Sequence, residues 1–463
     1  MFNQNITREQ LEELAKALST NDFAKLQGPA NQRGGAALIP ESLENSLRAL
    51  TFTEDNLKLW KDIPKQQAYS TVEEYNVINS YGEDISGFQR EGLAGVNTTG
   101  DYSREIAKMK IISTTREVTH LLSHLVDTQP NAMEVATKSA MRWILGQTEQ
   151  ALFYGNDELA PDNKEGLEWA GIIKQADEGN TIDMRGKYLD DNTLNEASAK
   201  IMDNYGVASK IYMPINVAKT FSEQYYPDQR ALMNVQAGTV TAGTLVTQFN
   251  SIGGNVQIEP DVFMRKGLQP LDPQAEAVGN NAPTPPTVKA ELNTEEVEGN
   301  ETVFDKGTYK YAVVAVNATG RSVPVETDAV VMTAESTLKG VKLTITNSDV
   351  QLEAPEFFVI YRTEKYGSKL YEIGRIGAKS TKKSAVTEFI DTNENLPNTG
   401  VAIIGDFRTE ETIGFKQIAP MFKLDYALIS PVHRFGVFLH GAPVLYMPKR
   451  FAVIKNIGQE SFK

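Results

Sequence analysis

Apolar and polar residues alternate with different periods along the chain, and the period in the first stretch is helical. Regularly spaced leucines after a Thr7 cap predict a short amphipathic helix over residues 7–18. Small residues at 27–37 predict a flexible tether, and a second helix is predicted over 40–50. Because the first helix has no adjacent core to pack on, we interpret residues 1–62 as an N-terminal arm.

Residues 68–115 change to strand-like alternation on both sides of a polar, glycine-bearing tip at 82–101. The apolar positions are Tyr69, Val72, Tyr75, Val77 and Ile78 on the way out and Ile106, Met109, Ile111 and Ile112 on the way back. A hairpin this long is marginal alone in water, because it has one thin face and two unpaired edges. We therefore expect it to lie on another subunit.

A long helix is predicted over 131–154, with Asn131 as its cap, Glu134 at the third position and Gly155 as its stop. At ~1.5 Å per residue this helix is a rod of roughly 35 Å. Two further helices are predicted at 194–204 and 215–225, with a short strand at 210–213 between them. The mixture predicts an α+β layer.

A Pro/Asn-rich linker at 279–287 introduces short alternating strands that end near Gly400. Tyr309-x-Tyr311-x-Val313-x-Ala315-x-Asn317-x-x-Gly320-x-Ser322 resembles the late-strand pattern of fibronectin type III and immunoglobulin-like modules. Strand-forming sequence of another kind resumes after this segment, and it needs the strands before residue 279 to complete a sheet. Residues 283–398 are therefore interpreted as an all-β sandwich inserted into a host domain.

Composition narrows the class of protein. With 463 residues and 41% hydrophobic residues, two or three globular domains are expected. A formal charge of −14 argues against general affinity for nucleic acid, and the absence of cysteine excludes disulfides and thiolate chemistry. No run approaches ~18 apolar residues and Met1–Gln10 is polar, so we expect neither a membrane span nor a secretory signal. A protein made in the cytoplasm is predicted.

His120 and His124 are the one histidine pair at a spacing that suits a metal, since i and i+4 share a helix face. Leu121 stands where a zinc protease needs its glutamate, so polar positions near an interface or helix surface are the favoured interpretation. His433 and His440 lie in an apolar stretch away from any serine or carboxylate pattern. We interpret them as hydrogen-bonded structural residues.

Catalytic motifs are absent from the sequence: no nucleophile elbow, phosphate-binding loop or dinucleotide fingerprint is found. The acid pairs Asp190–Asp191 and Glu410–Glu411 are interpreted as solvated surface in a chain with 60 acidic residues. We therefore predict no catalytic, cofactor-binding or metal-binding residues, and a protein that is not an enzyme.

The order of parts resembles the major capsid protein of tailed bacteriophages with the Hong Kong 97 fold. Four stretches look like the capsid proteins of large myophages: Leu152–Asn156, Gly166–Ile172, Tyr212–Ile215 and Met447–Asn456. The similarity covers nearly the whole chain, including an immunoglobulin-like insertion at the same place.

The resemblance implies an α+β Hong Kong 97-like capsid fold with an extended loop and a spine helix. The implied parts are an N-terminal arm at 1–62, an extended loop at 63–115, a peripheral domain at 116–205, an axial domain at 206–282, the insertion at 283–398 and a return to both domains at 399–463. It also implies hexamers and pentamers that form an icosahedral shell around double-stranded DNA in the virion, assembled in the host cytoplasm. A scaffolding protein, a portal and a maturation protease are the implied partners.

Three other functions are weighed. An encapsulin-like compartment shares the fold, but those chains are usually shorter and lack an outer sandwich. A tail or adhesin subunit would use the sandwich to bind a host. A polysaccharide-active enzyme with a fibronectin-type accessory module would need a secretion signal, which the sequence lacks.

Overall fold

The computed structural model describes residues 52–459 except 83–86, 89, 93–96, 125–131, 163, 226–245, 280, 294–303, 334–338, 351–352 and 428–429. The helices predicted at 7–18 and 40–50 lie outside the described residues. The α-helices of the described part are α1 Leu59–Asp62, α2 His120–His124, α3 Ala132–Tyr154, α4 Ile172–Gln175, α5 Asp191–Asp203 and α6 Ile215–Tyr225.

The strands are, in chain order, β1 Lys65–Gln67, β2 Val72–Ser80, β3 Asp101–Lys108, β4 Lys110–Thr119, β5 Thr181–Asp183, β6 Lys210–Pro214, β7 Gln248–Ser251, β8 Gly254–Asp261, β9 Pro270–Leu271, β10 Thr287–Leu292, β11 Gly307–Tyr309, β12 Tyr311–Asn317, β13 Gly320–Arg321, β14 Val325–Glu326, β15 Val330–Met332, β16 Val341–Thr346, β17 Phe357–Thr363, β18 Leu370–Gly377, β19 Val386–Asp391, β20 Gly400–Gly405, β21 Ile413–Asp425, β22 Val432–Leu445 and β23 Phe451–Ile457. Helices and strands together confirm the mixed α+β prediction.

The long helix α3 covers one face of a four-stranded sheet of order β1-β21-β22-β4. Its buried residues include Ile144, Leu152 and Phe153, which belong to one core with Phe435 and Val437 of β22. The helix ends before Gly155, where an added Cβ would lie 2.4 Å from the Trp169 carbonyl oxygen. The helix therefore stops where predicted, but glycine is needed there for this close approach of the backbone and not for a left-handed cap conformation.

A mixed six-stranded sheet of order β5-β23-β20-β6-β8-β7 forms the second layer, and α5 and α6 pack on it. Its core includes Leu194, Ile201, Phe221, Val256 and Ile404. The register places β20 and β23, which follow residue 399, beside β6 and β8, which precede residue 279. The two halves of the chain thus complete one sheet.

Residues between these halves form separate sheets around a core of their own. A three-stranded sheet, β10-β16-β19, faces a sheet of order β13-β12-β17-β18-β9, with β14 also paired to β12. Between the sheets lie Tyr311, Val313, Leu343, Phe358 and Ile360. The larger sheet begins upstream of residue 283, because β9 pairs with β18 and Val278 bridges Arg321.

The hairpin consists of β2 and β3, and its predicted return strand is divided at Met109. Residues 101–108 pair with β2, whereas 110–119 pair with β22 of the four-stranded sheet. The prediction that Ile111 and Ile112 belong to the hairpin is therefore wrong. Their partners, His440 and Leu439, lie more than three hundred positions away along the chain, where a local pattern gives no signal.

Candidate assembly surfaces

One side of the hairpin exposes apolar and aromatic side chains to solvent among charged ones such as Glu74 and Arg104. Val72, Ile78, Tyr102 and Ile106 are exposed and form what we call the outer hairpin face. The register sets Ile78 opposite Tyr102, so the two side chains stand on the same side of the ribbon. Within the described residues β2 and β3 pair only with each other, which leaves backbone donors and acceptors along both outer edges.

The opposite side of the hairpin faces the body of the subunit. The Tyr75 ring meets Tyr446 edge-on at 5.1 Å between centroids, and Lys416 Nζ lies 3.6 Å from the Glu73 carboxylate. Burial raises the pKa of Tyr446 to about 12, so its phenol stays neutral. Beyond these contacts a groove of about 810 Å³ separates the hairpin from residues 157–175.

The four-stranded sheet has a second face that the long helix does not cover. Phe438 and His440 of β22 alternate with the buried Phe435 and Val437, so they point away from the helix. The Phe422 ring stacks on Phe438 at 5.6 Å and meets His440 at 5.4 Å. Phe422 is exposed, whereas Phe438 and His440 are half-buried, so this cluster is a candidate contact surface.

The three histidines whose side chains are described lie in two places. The ring of His120 stacks on His433 at 5.7 Å, and His440 belongs to the aromatic cluster. The side chain of His124 lies outside the described residues, so a metal site at His120 and His124 stays untested. Within the described residues, no group of three or more His, Cys, Asp or Glu side chains is arranged to hold a metal ion.

The two acid pairs differ in their surroundings. Asp190 caps α5, because its carboxylate accepts a hydrogen bond from the Thr193 backbone N–H at 2.9 Å. Glu410 and Glu411 are exposed in a turn, as predicted.

Sequence reasoning missed a pair of buried carboxyl groups, Glu149 of the long helix and Asp261 at the end of β8. Both are almost fully buried. Burial and the neighbouring Asp261 raise the pKa of Glu149 to about 8. The one local signal was a glutamate on the apolar side of the helix, three positions before Leu152.

A partly buried network of ion pairs joins the sandwich to the rest of the subunit. Glu372 lies 3.0 Å from Lys266 and 3.0 Å from Arg375, and Arg375 also reaches Glu168 at 3.3 Å. Leu159 packs against Phe357 and Val359 beside this network. Ion pairs between the sandwich residues Glu372 and Arg375 and the residues Lys266 and Glu168 outside it therefore fix the orientation of the sandwich on the subunit.

Within the described residues, the hairpin with its exposed apolar side chains and the aromatic cluster on the four-stranded sheet are the surfaces best suited to contact with other proteins. Among the described helices, none combines the length and apolar character that a membrane crossing requires. The class indicated is that of a structural subunit.

Comparison with known proteins gives the family. A family model for the SU10 major capsid protein matches residues 94–279. The major capsid protein of Staphylococcus phage K is 31% identical over 438 residues, which cover 93% of this chain and 92% of that protein. The chain belongs to the family of bacteriophage major capsid proteins, and its place is the capsid of the virion. The sequence resemblance is thereby confirmed, in preference to the compartment, tail and polysaccharide-enzyme alternatives.

Solved structures align over most of the chain at low identity. The capsid of a native GTA particle covers 93% of this chain and 100% of its own, with a TM-score of 0.45 and 9% identity. The holo-SrpI encapsulin complex of Synechococcus elongatus PCC 7942 covers 96% and 99%, with a TM-score of 0.43 and 9% identity.

Proposed function

We propose that this capsid subunit assembles as hexamers and pentamers into an icosahedral shell around double-stranded phage DNA, in a Hong Kong 97-like arrangement. The observation that carries the proposal is the hairpin, whose outer face exposes Ile78, Tyr102 and Ile106 among charged side chains and whose strands pair only with each other in the described chain. Leaving such a surface in water is unfavourable, and a neighbouring subunit is the partner that repeats around a ring.

The division of the chain is part of the same proposal. Residues 63–115 act as the extended loop, 116–205 as the peripheral domain with its spine helix, and 206–282 with 399–463 as the axial domain and the return strands. Residues 283–398 act as an inserted immunoglobulin-like domain. Two facing sheets around a separate apolar core support this last assignment.

The remaining partners rest on family membership. The arm at 1–62 works during assembly with a scaffolding protein, the shell incorporates a portal, and a maturation protease acts on the assembled particle. We also propose that the subunit works without catalysis, metal or cofactor. Elemental analysis of the purified protein tests whether it works without a metal. Stoichiometric zinc that is lost on His120→Ala would contradict that part of the proposal.

Assembly itself can be tested on the outer hairpin face. The triple variant Ile78→Ser/Tyr102→Ser/Ile106→Ser is expected to fold with an unchanged circular dichroism spectrum but to lose most shell formation in light scattering and electron microscopy. The reason is that it removes apolar area from the contact without touching a buried core.

A matched control exists on the sandwich. Val331→Ser/Val350→Ser/Tyr366→Ser also removes two exposed aliphatic side chains and one exposed tyrosine, and it is expected to assemble as the parent does. If both triple variants assemble equally well, the hairpin is not the principal contact.

A further inference from the structure

The described part of the chain begins against the middle of the long helix α3. Phe52 lies directly on the helix backbone, because a Cβ added at Gly146 would stand 2.6 Å from its ring. The same ring meets Phe263 edge-on at 5.2 Å between centroids. Only Thr51 separates Phe52 from Leu50, so the two Cα atoms lie within about 7 Å of each other. The segment predicted to be helical over 40–50 must therefore end close to Gly146.

The face of α3 that contains Gly146 also carries side chains that the subunit leaves open to solvent. Val135, Ser139, Trp143 and Gly146 recur at intervals of four, four and three residues, which puts them on one side of the helix. Trp143 is 41% exposed, Ser139 is exposed and Val135 is half-buried. We call these four positions the Trp143 stripe. Beyond Gly146 the same side continues with the polar Gln150, so the apolar surface lies towards the start of α3.

The sequence of the segment 40–50 contains a stripe that matches. Leu43, Leu47 and Leu50 follow one another at intervals of four and three residues, as the last three positions of the Trp143 stripe do. A short amphipathic helix is marginal alone in water and gains its stability when its apolar side is covered. The leucines therefore need a surface of this spacing.

The covalent link at Thr51 selects one register between the two stripes. Both helices rise by ~1.5 Å per residue, so Leu50 beside Gly146 brings Leu47 level with Trp143 when the helices run parallel. Leu43 then lies level with Ser139, whose small side chain leaves room for a leucine.

Charges beside the stripe favour the same register. Lys138 and Arg142 flank it on one side, and Lys138 Nζ already lies 2.6 Å from Glu134 Oε1. Arg142 Nε is buried without a hydrogen-bond acceptor among the described groups, and its ion pair with Glu54 spans 3.8 Å. In the parallel register Glu44 falls between Lys138 and Arg142 along the axis, on the side that faces them. Its carboxylate can therefore accept the hydrogen bond that Arg142 lacks.

We propose that residues 40–50 dock as a helix on the Trp143 stripe of the same chain, parallel to the first half of α3. The occupant is this chain's own segment, because the link through Thr51 holds it beside the stripe at a high effective concentration. Docking covers the Trp143 ring and satisfies Arg142. The proposal concerns the folded subunit, so it stands or falls independently of the shell.

Cysteine crosslinking tests the register, because the chain contains no cysteine of its own. The full chain with Leu43→Cys and Ser139→Cys is expected to form an intrachain disulfide under mild oxidation, since docking brings the two positions within the span of a disulfide. Asn45→Cys with Ser139→Cys is the matched control, because position 45 lies on the opposite side of the predicted helix. Titration of free thiols is expected to show the first pair oxidising roughly ten times faster than the control.

Two results of the crosslinking would overturn the proposal. Equal oxidation rates for the two pairs would mean that residues 40–50 do not dock on α3 in this register. Disulfide-linked dimers on a nonreducing gel, in place of the intrachain bond, would mean that a second copy covers the stripe.

A double-mutant cycle in the full chain tests the contact without a crosslink. Leu47→Ala and Trp143→Ala each remove apolar area from the docked face, so each is expected to raise the unfolding constant. Because the two side chains share one contact, the double variant is expected to raise it by roughly fivefold less than the product of the single effects. Leu14→Ala, in the first predicted helix, is the control and is expected to combine with Trp143→Ala as a simple product. A simple product for Leu47→Ala as well would overturn the docking.

Discussion

The hairpin and the sandwich are built from the same kind of alternating strand, and they differ in what covers each strand. In the sandwich, β12 and β17 place Val313 and Ile360 in a closed core between two sheets. In the hairpin, Ile78 and Ile106 stand in solvent on a ribbon of two strands. Strand pattern alone therefore does not tell which apolar side chains are buried: the sandwich strands bury theirs in a shared core, whereas the hairpin leaves part of its own exposed.

The largest loss of stability is expected when the core of the sandwich is disrupted. Phe358→Ala removes a fully buried ring from β17, so we expect about 3–5 kcal/mol of destabilisation from the lost burial and the cavity that remains. Denaturant unfolding of the variant and its parent measures the difference. A cost below about 1 kcal/mol would mean that the two sheets do not form the closed core described above.

The second-largest loss of stability is expected in the ion-pair network of Lys266, Glu372 and Arg375, which holds the sandwich on the rest of the subunit. Glu372→Gln leaves Lys266 and Arg375 close together and largely buried without their shared carboxylate, and about 3 kcal/mol of destabilisation is expected. Glu388→Gln is the matched control, because Glu388 pairs with Lys342 on the sandwich surface and is expected to matter by about 0–1 kcal/mol. Equal costs for the two variants would show that burial of the network adds nothing.

The smallest effect is expected in the hairpin. Ile106→Ala changes an exposed side chain, so the unfolding free energy of the isolated subunit should move by no more than about 0.5 kcal/mol. Thermal melting of the unassembled protein measures this. A drop comparable to that of Phe358→Ala would place Ile106 in a core and remove the contrast between the two regions.

Local pattern was sufficient for elements whose partners are near in sequence. Helical spacing and the Gly155 stop predicted the long helix, which the structure places at Ala132–Tyr154. Alternation predicted the sandwich strands, and chain order together with short motifs led to the correct family.

What the sequence left undetermined depends on distant partners. Glu149 reads as an ordinary helix glutamate, because the backbone groups that it binds lie about ninety positions earlier, at residues 58–60. The division of the hairpin at Met109 likewise depends on pairing with β22. The position of the sandwich on the subunit depends on an ion pair between Glu168 and Arg375, which are also far apart in sequence. Burial of a charge becomes predictable only when its partners are known.

The sequence separation of the paired strands determines which sheets can form first while the chain is being synthesised. The sandwich strands from β9 to β19 follow one another along the chain, so that unit can close soon after residue 391 leaves the ribosome. The four-stranded sheet must wait, because β1 near residue 65 pairs with β21 near residue 415, and β23 enters the six-stranded sheet later still. Such distant pairings are slow to form. An unfinished chain therefore lacks the aromatic sheet face carried by β21 and β22, and a ribosome that stops early releases a polypeptide without that face.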